Sequence, residues 1–256
     1  MTSPPQRVRF LVVGMARSGT TATHHVIYGH PAASAMHDEV TVDPLFTQGI
    51  STFTVGGKNH QDTAAKYEAL FDLLALHEDD PGAPAGAVRA HGMKVVTQSP
   101  RDAAALVDCL VAHFPEVRIV HVRRDDLLAQ FASLERASRT GVWHTRADAT
   151  PTAPASTSQP GPLTLDAARF ERYLQTCAEV ERELLRLRET HRVHEVRYER
   201  DIAPNDPTRA AALFEFLELP VVAPTWMTLT KTSPPLATFV SNVAALRGIL
   251  DARSRR

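Results

Sequence analysis

Residues 7–21, RVRFLVVGMARSGTT, decide the fold of this chain. The first half is β-branched and apolar, which is typical of a strand buried in a parallel sheet. The glycine-rich turn GMARSGTT (Gly14 to Thr21) follows, and a helical pattern begins near Thr20. Strand, glycine turn and helix in this order predict the opening unit of an α/β protein.

The same alternation of strand and helix patterns continues along the chain. We expect further strands near Met93, Ile119 and Val196, and helices over 62–77, 101–114, 127–139, 166–190, 207–217 and 237–250. The predicted fold is a single three-layer α/β domain over residues 1–256, with a mostly parallel sheet and a P-loop-like nucleotide-binding loop. Residues 145–162, TRADATPTAPASTSQPGP, have no apolar period and are expected to form a mobile loop.

The composition excludes several classes of protein. A chain of 256 residues with 43% hydrophobic and 22% charged residues can bury its own core and is not disordered. A formal net charge of -1 argues against a protein that coats nucleic acid or an anionic membrane. Cys109 and Cys177 form no disulfide framework, and we find no signal peptide or membrane-spanning run. We therefore expect a soluble, cytoplasmic protein.

The turn GMARSGTT has the character of an anion cradle. Such a turn aims backbone N–H groups and the positive end of the helix dipole at one point, where a phosphate-like group is stabilised. Gly14 and Gly19 have Walker A spacing, but Thr20 stands where the lysine would be, and the cation is Arg17 inside the loop. The loop is therefore expected to bind a phosphate-type group without being equipped for phosphoryl transfer from a Mg-nucleotide.

A second motif, VHVRRDDLLAQFASLERA, covers residues 120–137. A buried strand ends in two arginines, and Ser133 follows in the next helix. Arginine offers a planar pair of donors to phosphate oxygens, and serine adds a hydroxyl, so both residue types suit an anion site.

In combination, the two motifs resemble sulfotransferases that use 3′-phosphoadenosine 5′-phosphosulfate. RSGTT is similar to their 5′-phosphosulfate loop, and the strand-end Arg124 with the following Ser133 is similar to their 3′-phosphate site. The resemblance implies that Arg124 and Ser133 bind this phosphate, and Arg123, which has the opposite strand parity, is the less favoured ligand. The stretch QFASLERASRTGVWH (130–144) is similar to bacterial sulfotransferases of the Stf0, or trehalose 2-sulfotransferase, type. GMKVV around Lys94, the region 196–219 and LTKTS (229–233) agree with this family in order.

The resemblance implies transfer of a sulfuryl group from that donor to a hydroxyl of a small-molecule acceptor, a sugar, lipid or secondary metabolite, by in-line displacement. It implies a base at Glu39 in the segment HDEV, with Asp38 and His37 as alternatives, and charge stabilisation by Arg17 and Lys94. The residues expected to bind the donor are Ala16, Arg17, Ser18, Gly19, Thr20, Thr21, Arg124, Ser133, Tyr198, Lys231 and Thr232.

Two other functions stay open. The chain could be a P-loop-type kinase of a nucleotide or small molecule, although the missing Walker lysine counts against that reading. It could also be a non-catalytic nucleotide-binding module, although an intact loop and a candidate base count against that. No metal is expected, because there is no H-E-x-x-H and the adjacent His24 and His25 point to different sides of a helix. We expect no nucleic-acid partner and no stable membrane insertion, and a homodimer is compatible with the sequence.

Overall fold

A computed structural model of the protein describes residues 7–41, 54–55, 58–59, 68, 88–141, 162–203, 207–222 and 234–255. Within these ranges one sheet is entirely parallel and a two-stranded ribbon is antiparallel. The strands in chain order are β1 (Val8–Met15), β2 (Ala33–Thr41), β3 (Thr54–Val55), β4 (Lys58–Asn59), β5 (Ala90–Thr97), β6 (Arg118–Arg123) and β7 (Val193–Arg197). The parallel sheet has the order β2-β5-β1-β6-β7, and β3 pairs with β4 in the ribbon.

Helices connect and cover the parallel strands. They are α1 (Thr20–Tyr28), α2 (Pro100–His113), α3 (Leu127–Thr140), α4 (Ala167–Leu185), α5 (Ala211–Phe216), α6 (Leu236–Phe239) and α7 (Val243–Ser254). Short 3₁₀ segments occupy Arg186–Glu189 and Pro207–Ala210, and a single π turn occupies Tyr198–Ile202.

Polar residues at the helix starts explain where three of these helices begin. Ser99 Oγ accepts from Asp102 N at 3.2 Å ahead of α2, and Asp126 Oδ1 accepts from Ala129 N at 2.8 Å ahead of α3. Asp166 Oδ1 accepts from Arg169 N at 2.7 Å ahead of α4. Each side chain satisfies an N–H group that has no partner within its own helix.

The sheet is the middle of three layers. Leu11 and Val13 of β1 point to one face, where they pack with buried residues of α2 and α4. Phe10 and Val12 point to the other face and pack with α1 and α5. This arrangement confirms the predicted three-layer α/β fold, with strands where the sequence placed them near Val8, Met93, Ile119 and Val196.

The structure adds one strand to those expected from the sequence and corrects one expected helix. The polar segment around HDEV belongs to β2, which the sequence pattern did not indicate as a strand. The helix expected over 237–250 is divided into α6 and α7, because Val240 forms a bridge with Leu163 and Asn242 exchanges two hydrogen bonds with the backbone of Leu165. The expected helix over 62–77 and most of the expected mobile loop over 145–162 lie outside the described residues.

Candidate functional site

The turn between β1 and α1 is packed so closely that glycine is needed at two positions. A Cβ on Gly14 would lie 2.5 Å from the Val122 carbonyl oxygen, and a Cβ on Gly19 would lie 2.3 Å from Tyr198 Cδ2. Gly19 also has φ 103°, a left-handed conformation that strains other residues. Thr23 N donates to Gly19 O at 2.9 Å as the first bond of α1, so the preceding amides point out of the helix end. This is the geometry of an anion cradle.

Hydrogen bonds join the backbone of the cradle and the side chain of Arg17 to α3 and to Arg124, the residue that follows β6. Arg17 Nε donates to Ser133 Oγ at 3.0 Å, and Arg124 Nη1 donates to Arg17 O at 3.1 Å. Gln130 Nε2 donates to Ala16 O at 2.9 Å. The two sequence motifs, which lie more than a hundred residues apart, therefore meet in one place.

Arg124 is held rigidly while part of its guanidinium stays available. Its Nε donates to Glu199 Oε1 at 3.1 Å, and its guanidinium carbon lies 5.1 Å from the centroid of the Tyr198 ring. Glu199 is fixed in turn, since its Oε2 accepts from Asp125 N at 2.9 Å. Among the described residues no acceptor contacts Arg124 Nη2, so this nitrogen is available to donate a hydrogen bond to a phosphate oxygen.

Arg123 points to the opposite face of the sheet, as strand alternation requires. Its Nε lies 2.9 Å from Glu181 Oε1, and its Nη1 donates to Glu195 Oε2 at 3.2 Å. Burial opposes the charge of Glu195, but hydrogen bonds and positive charge from Arg123 and Arg197 outweigh that effect and hold its pKa below the usual range. Arg123 is thus part of an ion-pair network that joins β6, β7 and α4.

Lys94 lies within β5, three residues before its end. Its side chain is buried, and Nζ donates to Thr21 Oγ1 at 2.8 Å, which brings a cation to the first turn of α1. The backbone of Glu39 in β2 is in register with Lys94. Residues 36–38, including His37 and Asp38, lie in an irregular stretch where three residues of β2 stand opposite one residue of β5.

The structure describes only some of the other residues that were predicted to bind the sulfate donor. The Tyr198 ring packs against Gly19 and beside Arg124, so it borders the cradle. Lys231 and Thr232 lie outside the described residues. The chain is described again from Pro234, and residues 234–247 form a cavity of about 350 Å³ with Arg124, Asp126 and Ala129.

Two residues that organise the site, Gln130 and Glu199, were not among the residues predicted to bind the donor. Gln130 opens the stretch that resembles the sulfotransferases, so a signal for it was present. Glu199 follows Tyr198 directly, but its contact with Arg124 joins residues 75 positions apart and has no local signature. The described residues contain no group of three or more His, Cys, Asp or Glu side chains placed to hold a metal ion. None of the helices in the described parts has the length and apolarity needed to cross a membrane.

The fold and the cradle define a class of protein: an α/β protein with a parallel sheet, whose first strand leads into an anion-binding turn. Comparisons with known proteins narrow this class. The model of a sulfotransferase family matches residues 9–223. The chain belongs to this sulfotransferase family. No curated protein matches the chain in sequence.

Three solved structures are similar to this chain, and the first of them supports the fold. A sulfotransferase from Alicyclobacillus acidocaldarius is similar to this chain with a TM-score of 0.53 and 17% identity, over 98% of this chain and 100% of the other. The sulfotransferase domain of the Synechococcus PCC 7002 olefin synthase gives a TM-score of 0.48 and 16% identity, over 96% and 84%. Sulfotransferase STF9 from Mycobacterium avium gives 0.43 and 15%, over 98% and 76%.

Proposed function

We propose that this sulfotransferase takes its sulfuryl group from 3′-phosphoadenosine 5′-phosphosulfate and transfers it to a hydroxyl of a small-molecule acceptor. The observation that carries the proposal is the meeting of Arg17, Ser133 and Arg124 at the turn after β1. One segment would hold the 5′-phosphosulfate and the other the 3′-phosphate of the same nucleotide. A cofactor with two separate anionic groups needs such an arrangement, and a donor with a single phosphate end does not.

The residues of the cradle would bind and orient the donor. The amides of Arg17 and of Gly19 to Thr21, with the Arg17 guanidinium, would disperse charge on the phosphosulfate. The amides of Ala16 and Ser18 donate within the protein, to Thr97 O at 3.3 Å and to Met15 O at 3.1 Å. Arg124 would bind the 3′-phosphate through the part of its guanidinium that does not contact Glu199, with Ser133 beside it. Tyr198 would border the nucleotide base, and Lys231 and Thr232 would contact the donor from the late segment. When bound, the donor supplies an SO₃ group whose bond to the phosphate oxygen breaks as the acceptor oxygen bonds to sulfur.

The acceptor hydroxyl must lose a proton during this exchange, and we assign that proton to the carboxylate of Glu39. Its backbone register with Lys94 supports the assignment, because Lys94 donates to Thr21 in the first turn of α1. The base and a cation would then lie on adjacent strands next to the cradle, where the reacting atoms must be. The buried Lys94 ammonium would stabilise negative charge on the bridging oxygen. His37 and Asp38 are the alternatives if the base is not Glu39.

The proposal is tested by incubating the protein with the phosphosulfate donor and separate sugars, lipids and phenolic or alcoholic metabolites. Mass spectrometry should find an acceptor that has gained one SO₃, together with 3′-phosphoadenosine 5′-phosphate. A parallel incubation with ATP and Mg²⁺ tests the kinase alternative. A phosphorylated acceptor without any sulfated one would replace the proposal by that alternative, and nucleotide binding without either transfer would replace it by a binding module.

Variants of the two adjacent arginines test, in the same experiment, which of them binds the donor. Arg124→Ala should lose sulfated product at low donor concentration, whereas Arg123→Ala, which removes an equally charged neighbour on the other face, should keep it. The absence of a metal requirement, the cytoplasmic location and a homodimer stay predictions of the sequence.

A further inference from the structure

The carboxylate of Glu199 is shared between two donors that belong to adjacent residues. Its Oε1 accepts from Arg124 Nε at 3.1 Å, and its Oε2 accepts from Asp125 N at 2.9 Å. A carboxylate that meets an arginine is frequently bound through two parallel N–H···O bonds. Here the backbone N–H of Asp125 takes the second oxygen, so Glu199 holds Arg124 through one nitrogen. The two terminal nitrogens of the guanidinium are left for other acceptors.

Two further contacts orient the same guanidinium. Arg124 Nη1 donates to Arg17 O at 3.1 Å, and the guanidinium carbon lies 5.1 Å from the centroid of the Tyr198 ring. Nε, Nη1 and the plane of the group are thus each held by a different partner. In the part of the chain that the structure describes, no acceptor contacts Nη2. The protein itself therefore orients Arg124 and leaves one of its nitrogens for a ligand.

The position of Glu199 is set by the π turn at the end of β7. Ala203 N donates to Tyr198 O at 2.7 Å and closes this turn, and Arg197 N donates to Asp201 Oδ2 at 2.8 Å. Turns of this type are rare, and they are often found at functional sites. This one brings two consecutive residues, Tyr198 and Glu199, against the same arginine.

The other donor to Glu199 is anchored at the same end of the sheet. Asp125 Oδ1 accepts from Arg197 Nη1 at 2.8 Å, and Arg197 Nε donates to Glu195 Oε1 at 2.9 Å. Asp125 is thus joined to the end of β7 twice, through its side chain and through its backbone N–H. These bonds keep that N–H in contact with Glu199 Oε2.

We propose that Glu199 is a positioning residue: it orients Arg124 through Nε, leaves Nη2 to bind the 3′-phosphate, and so sets the preference of the protein for a 3′-phosphorylated nucleotide. The inference rests on the proposed function, because it takes 3′-phosphoadenosine 5′-phosphosulfate to be the donor. A mobile arginine loses rotamer freedom when it binds a phosphate, whereas an oriented arginine has already lost that freedom on folding. Orientation by Glu199 therefore strengthens the phosphate contact.

The negative charge of Glu199 has an opposing effect, since it repels a phosphate. The side chain of Glu199 is 33% exposed, whereas that of Arg124 is 10% exposed, so solvent and salt screen the repulsion. Both oxygens of the carboxylate also face N–H donors, which offset part of its charge. We therefore expect the orientation of Arg124 to outweigh the repulsion.

The test is calorimetric titration with 3′-phosphoadenosine 5′-phosphate and with adenosine 5′-phosphate, and the ratio of the two dissociation constants measures the preference. Glu199→Gln keeps the shape of the side chain, but its amide nitrogen donates and cannot accept, so it loses the bond to Arg124 Nε or to Asp125 N. The preference should fall about tenfold, the effect of immobilising one long side chain on binding. A residue that only stabilised the fold would weaken both nucleotides alike and leave the ratio unchanged.

Glu181→Gln is the matched control. Glu181 Oε1 lies 2.9 Å from Arg123 Nε, so this carboxylate holds the adjacent arginine on the other face of the sheet in the same way. The variant removes the same charge and should keep the ratio of wild type. A second comparison adds Glu199→Gln to Arg124→Ala. If Glu199 acts through Arg124, the double variant should have the same ratio as Arg124→Ala alone.

An unchanged or increased ratio in Glu199→Gln would overturn the inference, because Glu199 would then have no effect or would compete with the phosphate. An equal fall in Glu181→Gln, or a further fall in the Arg124→Ala background, would overturn it as well, since the effect would not pass through Arg124. Wild-type protein without any preference for the 3′-phosphorylated nucleotide would overturn the proposed function along with the inference. Failure of the inference alone is therefore distinguishable from failure of both.

Discussion

Arg17 Nε donates to Ser133 Oγ across 3.0 Å, and this bond joins the side chain of the cradle to the middle of α3. Arg124 Nη1 reaches the carbonyl oxygen of the same arginine at 3.1 Å. The position of Arg17 is therefore set from two elements at once. A substitution in α3 should alter the conformation of the cradle, although the two segments are distant in sequence.

The bond between Arg17 and Ser133 predicts coupled effects on nucleotide affinity. Arg17→Ala and Ser133→Ala should each weaken binding of 3′-phosphoadenosine 5′-phosphate, and the double variant should lose less than the sum of the two. For residues in direct contact the difference should be about 0.5–3 kcal/mol. Calorimetry on the four proteins measures it. Simple additivity would mean that the two side chains act on the nucleotide independently.

Arg124 should distinguish nucleotides by their 3′-phosphate. Arg124→Ala removes a charged phosphate contact, worth about 1.5–3 kcal/mol, from 3′-phosphoadenosine 5′-phosphate but not from adenosine 5′-phosphate. Calorimetry with both nucleotides checks the selectivity, and Arg123→Ala is the control for loss of charge at the adjacent position. If Arg124→Ala weakens both nucleotides equally, the 3′-phosphate binds elsewhere.

Glu39 is the residue on which the proposed proton transfer depends. Glu39→Gln keeps the shape of the side chain and removes the proton acceptor, so turnover should fall about 10²–10⁴-fold while nucleotide affinity stays near normal. Steady-state rates and calorimetry on the same preparation separate the two effects. Asp38→Asn and His37→Ala are the comparison variants. Loss of turnover in one of these, with Glu39→Gln active, would move the base to that residue.

The close approach of Gly19 and Tyr198 predicts an effect on stability. Gly19→Ala would place a Cβ 2.3 Å from the Tyr198 ring, whereas Gly141→Ala meets no atom within 4 Å. Both glycines have positive φ, 103° and 68°, so the backbone strain of alanine is shared and the difference isolates the clash. Gly19→Ala should lower the free energy of unfolding by about 1–3 kcal/mol more than Gly141→Ala. Urea denaturation measures both, and equal losses would show that the ring moves aside.

His91 should make stability depend on pH in the acid range. Burial, together with the positive charges of Arg9 and Arg7, lowers its pKa from 6.5 to about 4. The unfolded chain therefore binds a proton at higher pH than the folded protein does. The stability that the neutral ring contributes is present above about pH 6.5 and is lost as the pH falls toward 4.

The measurement is urea denaturation of wild type and His91→Gln between these pH values. The variant should show a shallower loss of the free energy of unfolding on acidification. His191 and His194, whose pKa values burial also lowers, would keep part of the slope in both proteins. Identical slopes would show that His91 does not carry this dependence.

The parts of the fold that local pattern controls were predictable. The buried strands β1, β5 and β6 and the capped helices α3 and α4 follow from apolar runs and from the capping residues Asp126 and Asp166. The strand β2 was not predictable, because its membership in the sheet depends on pairing with β5 and its own sequence is mixed in polarity. Val240 and Asn242 divide the last helix through contacts with residues 163–165, which no local pattern reveals.

The candidate site shows the same limit. The glycine turn and the Arg–Ser pair carry local signatures, so their residues could be named from the sequence. The contact of Arg124 with Glu199, and the bond from Lys94 to Thr21, depend on how strands pair, and that pairing is decided by the whole sheet.

The central place of β1 has a consequence for how the protein is made. The first strand pairs on one side with β5, where Val8 meets Ala90, and on the other with β6, where Phe10 meets Arg118. During synthesis β1 leaves the ribosome long before β5 and β6 have been made. Its apolar residues therefore have no partner strand during this interval. Late parallel pairing of this kind slows folding and leaves the nascent chain open to aggregation. Slowing translation between β1 and β5 would prolong that interval, and a chaperone that holds exposed apolar segments would protect it.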